Sequence, residues 1–316
     1  MMRTSFFVLM TMTISLACFS ILFSLSKGSI SIPIDQLLLG DFNTIFFKLR
    51  LPRTLTAFVC GSLLALAGSL MQLLLQNPLA DPYALGISGG AALATLIMML
   101  FGMTDHWLMG GAWIGSLLTI ALILFITRKQ GMHTHSLLLA GIALACGFSA
   151  CISFILLISP ASTLHSMLFW LSGDLNNAHM PSLALIILCL GLIICLWLAP
   201  GFNLFGRGEQ EARALGLASE KYRLALYLLS SLFTATAVTL AGCIGFIGLI
   251  IPHTARLLSG YDHRIMLPVS ALLGGTLLTI ADTFARTLFA PQQIPVGILM
   301  AMIGVPLFVC LLQRVR

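Results

Sequence analysis

Long apolar stretches separated by a few charged residues make up most of the chain. Arg53 and Asp81 bracket 27 uncharged residues, Asp81 and Asp105 bracket 23, and Asp105 and Arg128 bracket 22. A membrane-crossing helix needs about 20 apolar residues, so each stretch is long enough to span a bilayer. The pattern predicts nine spans, at about 4–26, 54–80, 82–104, 106–127, 136–158, 181–199, 224–249, 266–289 and 296–313.

Two segments do not fit a simple span. The 44 uncharged residues at 130–173 are too many for one helix, and Ser159-Pro160 is expected to break them, leaving an irregular segment that carries residues 169–173. Pro252–Gly260 is too short to cross alone. It predicts a proline-started half-helix that is buried among its neighbours, where protein can cover an interrupted backbone.

The distribution of basic residues predicts the orientation. Counting the half-helix gives ten crossings and puts both termini in the cytoplasm, which agrees with the positive-inside rule. Eleven basic residues then face the cytoplasm: 3, 128, 129, 207, 213, 221, 223, 256, 264, 314 and 316. Five lie on or near the outside: 27, 48, 50, 53 and 286. We therefore expect a multi-pass membrane protein.

Composition supports a single transmembrane domain over residues 1–316. The chain is 59% apolar and 8% charged, against roughly 25% charged in an average soluble domain. Lipid must therefore be the solvent over most of its surface. The net charge of +6 includes no basic run longer than Arg128-Lys129, so nucleic-acid binding is not expected. The eight cysteines lie in apolar stretches without metal-ligand spacing, so no metal site is expected.

A weak internal repeat indicates two related halves. Leu66-Ala67-Gly68 precedes Pro78 by ten residues, and Leu240-Ala241-Gly242 precedes Pro252 by the same ten. Inverted repeats of this kind are common in transporters, although two matches in so biased a composition can also arise by chance.

Motifs for catalysis and nucleotide binding are missing from the sequence. The four lysines are followed by Gly28, Leu49, Gln130 and Tyr222, so no phosphate-binding G-x-x-x-x-G-K-[ST] motif is present. We predict no catalytic residue and no cofactor in this chain, and if ATP drives transport, a partner must hydrolyse it. Asp282 lies within a span with Arg286 four residues on, which predicts a pair within one helix more readily than a proton relay.

The segment 206–223 is the most polar part of the chain, with seven charged residues among eighteen. The pattern predicts short helical turns at Glu209–Leu215 and Ser219–Leu224, separated by a stop at Gly216. A simple connection needs about 2–8 residues, so we interpret about 205–224 as a cytoplasmic docking surface; a solvated loop is the alternative.

Three arginines stand on the predicted outer side, against the positive-inside rule. Arg50 and Arg53 lie in a short motif before the second span, and Arg286 lies near the end of another. The guanidinium fork can bind a carboxylate through two hydrogen bonds, so these residues predict a docking rim for an acidic external partner. Snorkelling at the interface is the alternative.

Seven segments resemble the FecCD family of ABC importer permeases, which take up iron–siderophore, haem and cobalamin complexes. The resemblance covers roughly residues 49–313. The segments are LRLPRTL (49–55), GSLLALAGSLMQ (61–72), QNPLADPYALGISGGAAL (76–93), FWLSGDL (169–175), EARALGL (211–217), IGFIGLIIPHTARLLSGYDHR (244–264) and IPVGILMAMIGVPLF (294–308).

The resemblance implies ten helices in each subunit, a homodimer around a central pathway, two cytoplasmic ATPase subunits that bind ATP and Mg²⁺, and an external substrate-binding protein. It implies that Arg50, Arg53 and Arg286 receive the binding protein. Cytoplasmic gate positions fall on Asn77, Leu79, Thr134 and His135. The positions implied to contact the ATPase are Gly208, Glu209, Glu211, Ala212, Leu215 and Gly216.

The sequence departs from the family pattern at three positions. Gln293 stands where the family usually has an acidic residue, Cys243 replaces a common proline, and His135 is larger than the usual gate residue. The predicted function is ATP-driven import of an iron chelate, either a siderophore complex or haem. A cobalamin permease and an ion-coupled secondary transporter remain as alternatives.

Overall fold

The structure is a computed structural model that describes residues 2–28, 45–128, 133–176, 178–290 and 292–314. Twelve α-helices lie within these ranges: α1 (Met2–Ser26), α2 (Leu51–Leu74), α3 (Ile87–Leu100), α4 (Asp105–Thr127), α5 (Thr134–Ile158), α6 (Ala161–Leu171), α7 (Ser182–Phe205), α8 (Glu209–Ala214), α9 (Ser219–Ala241), α10 (Ile247–Ser259), α11 (His263–Thr287) and α12 (Val296–Arg314). The predicted all-α membrane fold is confirmed.

Ten of these helices correspond to the predicted crossings. Seven of the described helices, α1, α2, α4, α5, α7, α9 and α11, are long and apolar enough to span a membrane. The helices α3, α10 and α12 are shorter and complete the set of ten. The orientation of the termini stays a prediction, and Lys129 and Arg316, which contribute to it, lie outside the described residues. The outer and cytoplasmic ends below are named by that orientation.

Helix α2 forms the centre of the protein. In its most apolar window, 94% of the residues are buried, against 11% for α5. Helices α9, α10 and α11 pack around α2. Glycines allow this close approach: a Cβ at Gly61 would lie 2.2 Å from the carbonyl oxygen of Gly274 in α11, and one at Gly68 would lie 1.9 Å from that of Gly248 in α10. Small residues at crossing points are typical of helix pairs in membranes.

Two predicted spans are shorter than expected. Residues 82–104 form a 3₁₀ turn, Pro82–Leu85, followed by α3, whose 14 residues extend about 21 Å. The predicted end of the helix at 224–249 was also wrong, because α9 ends at Ala241. The next residue, Gly242, adopts a φ of +67°, which favours glycine. The Asp174 N–H donates to the Ala241 carbonyl at 2.9 Å, which satisfies one end of this break.

The half-helix is present but does not begin at its proline. Helix α10 begins at Ile247 and contains Pro252, which cannot donate an N–H to the carbonyl of Gly248. The Gln72 amide of α2 donates to that carbonyl at 3.4 Å and to the Leu249 carbonyl at 3.2 Å. Gln72 also accepts a hydrogen bond from Arg256 of α10. The buried Gln72 side chain therefore compensates for the proline and tethers α10 to α2.

The architecture repeats and pairs α2 with α9, the two helices that the sequence match relates, although the matched residues do not coincide. A long helix, a short helix and two further helices occur as α2–α5 and again as α9–α12, with lengths of 24, 14, 23 and 25 residues against 23, 13, 25 and 19. However, Gly68 lies inside α2, whereas Gly242 follows the end of α9. The two Leu-Ala-Gly segments therefore occupy different structural positions.

The segment that follows Pro160 is helical, which corrects the prediction of an irregular stretch. Helix α6 occupies Ala161–Leu171 and ends at Ser172, whose N–H bonds to the carbonyls of Leu168 and Phe169. Gly173, with a φ of +82°, turns the chain away from α6. The predicted break at Ser159-Pro160 is confirmed, since α5 ends at Ile158.

Candidate functional site

The predicted coupling segment forms a short helix at the cytoplasmic end. Helix α8 lies between Gly208 and Gly216, whose φ angles of +118° and +84° suit glycine and let the chain turn sharply on both sides. The Ala212 side chain is fully buried, which anchors α8 to the protein, whereas the Leu215 side chain is 59% exposed. The predicted helical turns and the stop at Gly216 are confirmed.

Ion pairs fix the start of α8. The Glu209 carboxylate accepts a hydrogen bond from Arg213 of the same helix at 2.7 Å and another from the buried Arg223 of α9. Because Glu209 lies in the first turn, it also complements the positive end of the helix dipole. Glu211 and Leu215 remain exposed, so α8 presents both a charged and an apolar group outward.

A second set of hydrogen bonds holds the neighbouring helix ends together. The Asn203 amide of α7 donates to Asp262 at 2.8 Å, and its oxygen accepts from the His263 N–H at 2.9 Å. Although burial would raise the pKa of Asp262, hydrogen bonds from Asn203 and the Arg264 N–H, with the nearby positive charge, lower it below its usual value. Asp262 is therefore a stable carboxylate at neutral pH, and the ends of α7 and α11 beside α8 form a rigid support.

The predicted gate residues lie at the cytoplasmic end in two separate pairs. Asn77 and Leu79 are exposed in the loop after α2, where the Leu79 N–H donates to the Asn77 side chain at 2.9 Å. Thr134 is half-buried at the start of α5, and His135 beside it is exposed. No hydrogen bond joins the two pairs among the described residues. A gating role for these four residues stays a prediction.

The loop after α2 is tied to the α9–α10 break by one side chain. The Tyr83 hydroxyl donates to the Ile244 carbonyl and accepts from the Ile244 N–H, both at 3.0 Å. Asp81 accepts the Tyr83 N–H at 2.8 Å and so positions the turn. A movement of the loop after α2 would therefore act directly on the α9–α10 break. The sequence alone does not indicate this contact, because 161 residues separate Tyr83 from Ile244.

At the outer end, Arg53 is engaged within the chain. Its Nε donates to both Asp282 carboxylate oxygens at 3.1 Å, and its Nη2 donates to Oδ1 at 2.8 Å. Its Nη1 donates to Asn176 at 2.8 Å and to Gln293 at 2.9 Å. The predicted pair of Asp282 with Arg286 is confirmed, with Arg286 Nε 3.8 Å from the carboxylate, but Arg53, which the sequence did not predict as a partner, lies closer to Asp282.

The other two arginines bind the end of α1. Arg50 donates to the Leu25 carbonyl at 3.0 Å, and Arg286 donates to the Ser24 carbonyl at 2.5 Å and to its hydroxyl at 2.8 Å. Cations favour the negative C-terminal end of a helix, which explains why both guanidinium groups cap α1.

The outer arginines therefore do not form an open rim. Arg50 is 6% exposed, Arg286 is 5% exposed, and the Arg53 side chain is 13% exposed. These three residues, with Asp282, are called the arginine cluster below. Arg53 and Arg286 share the Asp282 carboxylate, whereas Arg50 binds backbone carbonyls at the end of α1. Docking of an acidic partner stays a prediction, and Arg53, the most exposed of the three, is the residue that such a partner can reach.

The described residues contain no group of three His, Cys, Asp or Glu side chains placed to hold a metal ion. Sequence reasoning missed Asn176, which links Arg53 to the segment after α6. It also missed the pairing of Arg53 with Asp282, because these residues are 229 positions apart.

Comparison with known proteins agrees with this architecture. The model of the FecCD transport family matches residues 16–314. The hemin transport system permease protein HmuU of Yersinia pestis is 41% identical over 280 residues, which cover 86% of this chain and 84% of HmuU. The vitamin B12 import system permease protein BtuC of Klebsiella pneumoniae is 36% identical over 301 residues, which cover 94% of this chain and 91% of BtuC.

A solved structure shows the same fold. A chain from a metal-chelate type ABC transporter in an inward-facing conformation superposes with a TM-score of 0.88 and 33% identity, covering 97% of this chain and 99% of that one. The match extends over nearly the full length of both chains. This chain is a multi-pass membrane protein that belongs to the FecCD transport family of ABC importer permeases.

Proposed function

We propose that this chain is the membrane-spanning subunit of a binding-protein-dependent importer in the bacterial inner membrane, and that it carries an iron chelate inward. In this proposal two copies enclose the pathway, and two separate cytoplasmic subunits bind and hydrolyse ATP with Mg²⁺. A binding protein on the outer side captures the ligand. The chain itself contributes the pathway and the two docking surfaces.

The anchored position of helix α8 is the observation that supports the proposal most strongly. The helix is a fixed projection at the cytoplasmic end, anchored by Ala212 and by the ion pairs of Glu209, and it ends in the exposed Leu215. A rigid helix of this kind can transmit the motion of a partner to α9, which packs against the central α2. The exposed Leu215 beside these ordered anchors is available for contact with such a partner.

Relatives indicate the class of ligand. The hemin permease and the vitamin B12 permease both carry metal-centred macrocycles, and the hemin permease has the higher identity, 41% against 36%. We therefore infer that this chain transports an iron chelate, and the vitamin B12 relative supports cobalamin as the second candidate. Uptake of haemin, a ferric siderophore and cobalamin by the complete reconstituted system will distinguish them.

The arginine cluster argues against the ion-coupled alternative. A proton- or sodium-coupled carrier needs an acidic side chain that can bind and release its ion. Asp282 is the predicted candidate, but both of its oxygens accept hydrogen bonds from Arg53. A carboxylate with both oxygens engaged in this way is suited to holding the helices together rather than to binding and releasing a transported ion.

Binding-protein docking can be tested at Arg53. The Arg53→Glu variant is expected to abolish stimulation of the partner ATPase by the loaded binding protein, but it also places two carboxylates together. The exchange Arg53→Asp with Asp282→Arg restores the internal pair and serves as the control. If stimulation stays lost in the exchanged variant, the arginine at position 53 itself receives the partner; wild-type stimulation in either variant contradicts docking there.

A further inference from the structure

Phe246 has an unusual backbone conformation at the start of α10. Among the described residues, the only ones other than glycine with a positive φ are Gln76 (+49°) and Phe246 (+70°). Gln76 follows the C-terminal end of α2, where a left-handed residue is common, whereas Phe246 precedes a helix, where the backbone is normally extended. A left-handed conformation is strained for a bulky residue, and such strain collects at sites where proteins switch between conformations.

Packing against α12 holds Phe246 in this conformation. A Cβ added at Gly304 of α12 would lie 2.7 Å from both Cβ and Cγ of Phe246, so the phenylalanine occupies space that only a glycine leaves open. The Phe246 carbonyl accepts the N–H groups of Leu249 at 3.2 Å and Ile250 at 2.9 Å, which belong to the first turn of α10. The backbone angles of Phe246 therefore set the direction in which α10 leaves the α9–α10 break.

The two residues before Phe246 differ in how firmly they are held. Ile244 is 1% exposed, and both of its backbone groups bond to the Tyr83 hydroxyl. A Cβ at Gly173 would lie 2.7 Å from the Ile244 side chain, so the segment after α6 also encloses it. By contrast, a Cβ at Gly245 would meet no atom within 4 Å. Gly245 has wide backbone freedom and open space, and it lies between a clamped residue and a strained one.

We propose that the α9–α10 break is a two-state hinge of the transport cycle. In the second state Gly245 absorbs a change in backbone angles and Phe246 takes a negative φ, while Ile244 stays bound to Tyr83. The strain seen here makes that second state accessible. The proposal rests on the import function above and names an element that moves when the partner ATPase works.

The contacts of α10 with α2 determine which end of α10 moves. The Gln72 amide bonds to the carbonyls of Gly248 and Leu249, close to the hinge, so this end of α10 stays beside α2. The far end carries Arg256, whose hydrogen bond to the Gln72 side chain would lengthen or break as that end swings. A change at Phe246 is therefore amplified along α10 toward the cytoplasmic side.

Substitutions at position 246 can lower or raise the strain. Phe246→Gly and Phe246→Asn accept a left-handed backbone readily and should favour the arrangement seen here. Phe246→Ile, which is branched at Cβ, should disfavour it. Loss of packing alone predicts a different order, because isoleucine keeps an apolar side chain and should then resemble the wild type more closely than glycine or asparagine does.

A distance within one chain reports the state of the hinge. Spin labels carried by an unnatural amino acid are placed at Leu257 near the far end of α10 and at Trp197 of α7, which are 69% and 80% exposed. The labelled chain is diluted with unlabelled chain in the complete complex in nanodiscs, and double electron–electron resonance gives the distance. We expect two distances whose ratio changes when ATP binds without hydrolysis. Phe246→Gly should shift this ratio about tenfold in one direction and Phe246→Ile in the opposite direction, since the left-handed backbone costs a residue with a side chain about that factor.

Leu249→Ile is the matched control, because it is an apolar change in α10 at a helical residue, and it should keep the wild-type ratio. Phe246→Asn repeats the glycine test with a residue that keeps a side chain, in case one variant folds poorly. A single distance with and without ATP overturns the hinge. So does a ratio that the glycine and isoleucine variants leave unchanged or shift in the same direction. If the complex still imports an iron chelate with ATP, only the hinge is rejected; if the wild-type complex imports none, the proposed function fails.

Discussion

Replacing Asp282 with alanine removes the carboxylate that Arg53 and Arg286 share at the outer ends of α2 and α11. The side chains of these three residues are 1%, 13% and 6% exposed, respectively. Within the part of the chain that the structure describes, the variant leaves no carboxylate paired with the Arg53 and Arg286 guanidinium groups. Arg53→Ala is a milder change, because Asp282 keeps Arg286 at 3.8 Å.

The two variants should lower the free energy of unfolding by different amounts, because only Asp282→Ala removes the shared carboxylate. Removing one partner of a buried ion pair costs about 3–5 kcal/mol, because it leaves an uncompensated buried charge. Arg53→Ala breaks hydrogen bonds but leaves the carboxylate paired, so its cost should be close to that of unsatisfied polar groups, about 1–3 kcal/mol. Asp282→Asn keeps the shape of the side chain and removes only the charge. Its free energy of unfolding should therefore be closer to that of Asp282→Ala than to that of the wild type.

Equilibrium unfolding of the purified chain in mixed micelles gives these free energies, and Glu220→Gln on the exposed face of α9 serves as a control that should show no measurable change. We expect Asp282→Ala to destabilise the chain by about 2 kcal/mol more than Arg53→Ala. If Arg53→Ala costs as much as Asp282→Ala, or if Asp282→Asn is neutral, Asp282 does not serve as the shared counter-charge.

Three further predictions address packing, coupling and the α9–α10 break. Gly68→Val should prevent stable folding, because even a Cβ there would lie 1.9 Å from a backbone oxygen of α10, whereas Gly110→Ala, which has open space, should leave the melting temperature unchanged. Leu215→Glu should abolish ATP-driven uptake without lowering thermal stability, because this side chain is 59% exposed and, under the proposed function, is a contact for the ATPase; normal uptake would rule out coupling through Leu215. Tyr83→Phe should cost about 1–3 kcal/mol in unfolding experiments, because both backbone groups of Ile244 lose their partner, and a neutral result would show that water replaces the hydroxyl.

The long helices could be predicted from the sequence because lipid excludes charge from them. The uncharged stretch 106–127 corresponds to α4 at 105–127, and the predicted span at 136–158 corresponds to α5 at 134–158. The glycine stop at Gly216 was predictable for a similar local reason, since it depends on one residue and its backbone angle.

Interrupted elements and tertiary ion pairs could not be predicted in the same way. The break before α10 occurs at 242–246 and not at Pro252, because the Gln72 amide from another helix binds the carbonyl that the proline leaves free. Likewise, Arg53 was expected on an open rim, but a carboxylate 229 residues away binds it. Hydropathy and local spacing carry no information about such distant partners.

The central claim is that this chain contains no energy source and transports only through its partners. Uptake of the radiolabelled iron chelate into proteoliposomes tests it most directly, with the chain alone and with its cognate ATPase and binding protein added. We expect uptake only when the chain, the ATPase and the binding protein are all present and ATP is supplied on the side of the membrane where the ATPase lies. An uncoupler that collapses the ion gradients should not reduce this uptake. Concentrative uptake by the chain alone, driven by a proton or sodium gradient, would contradict the claim.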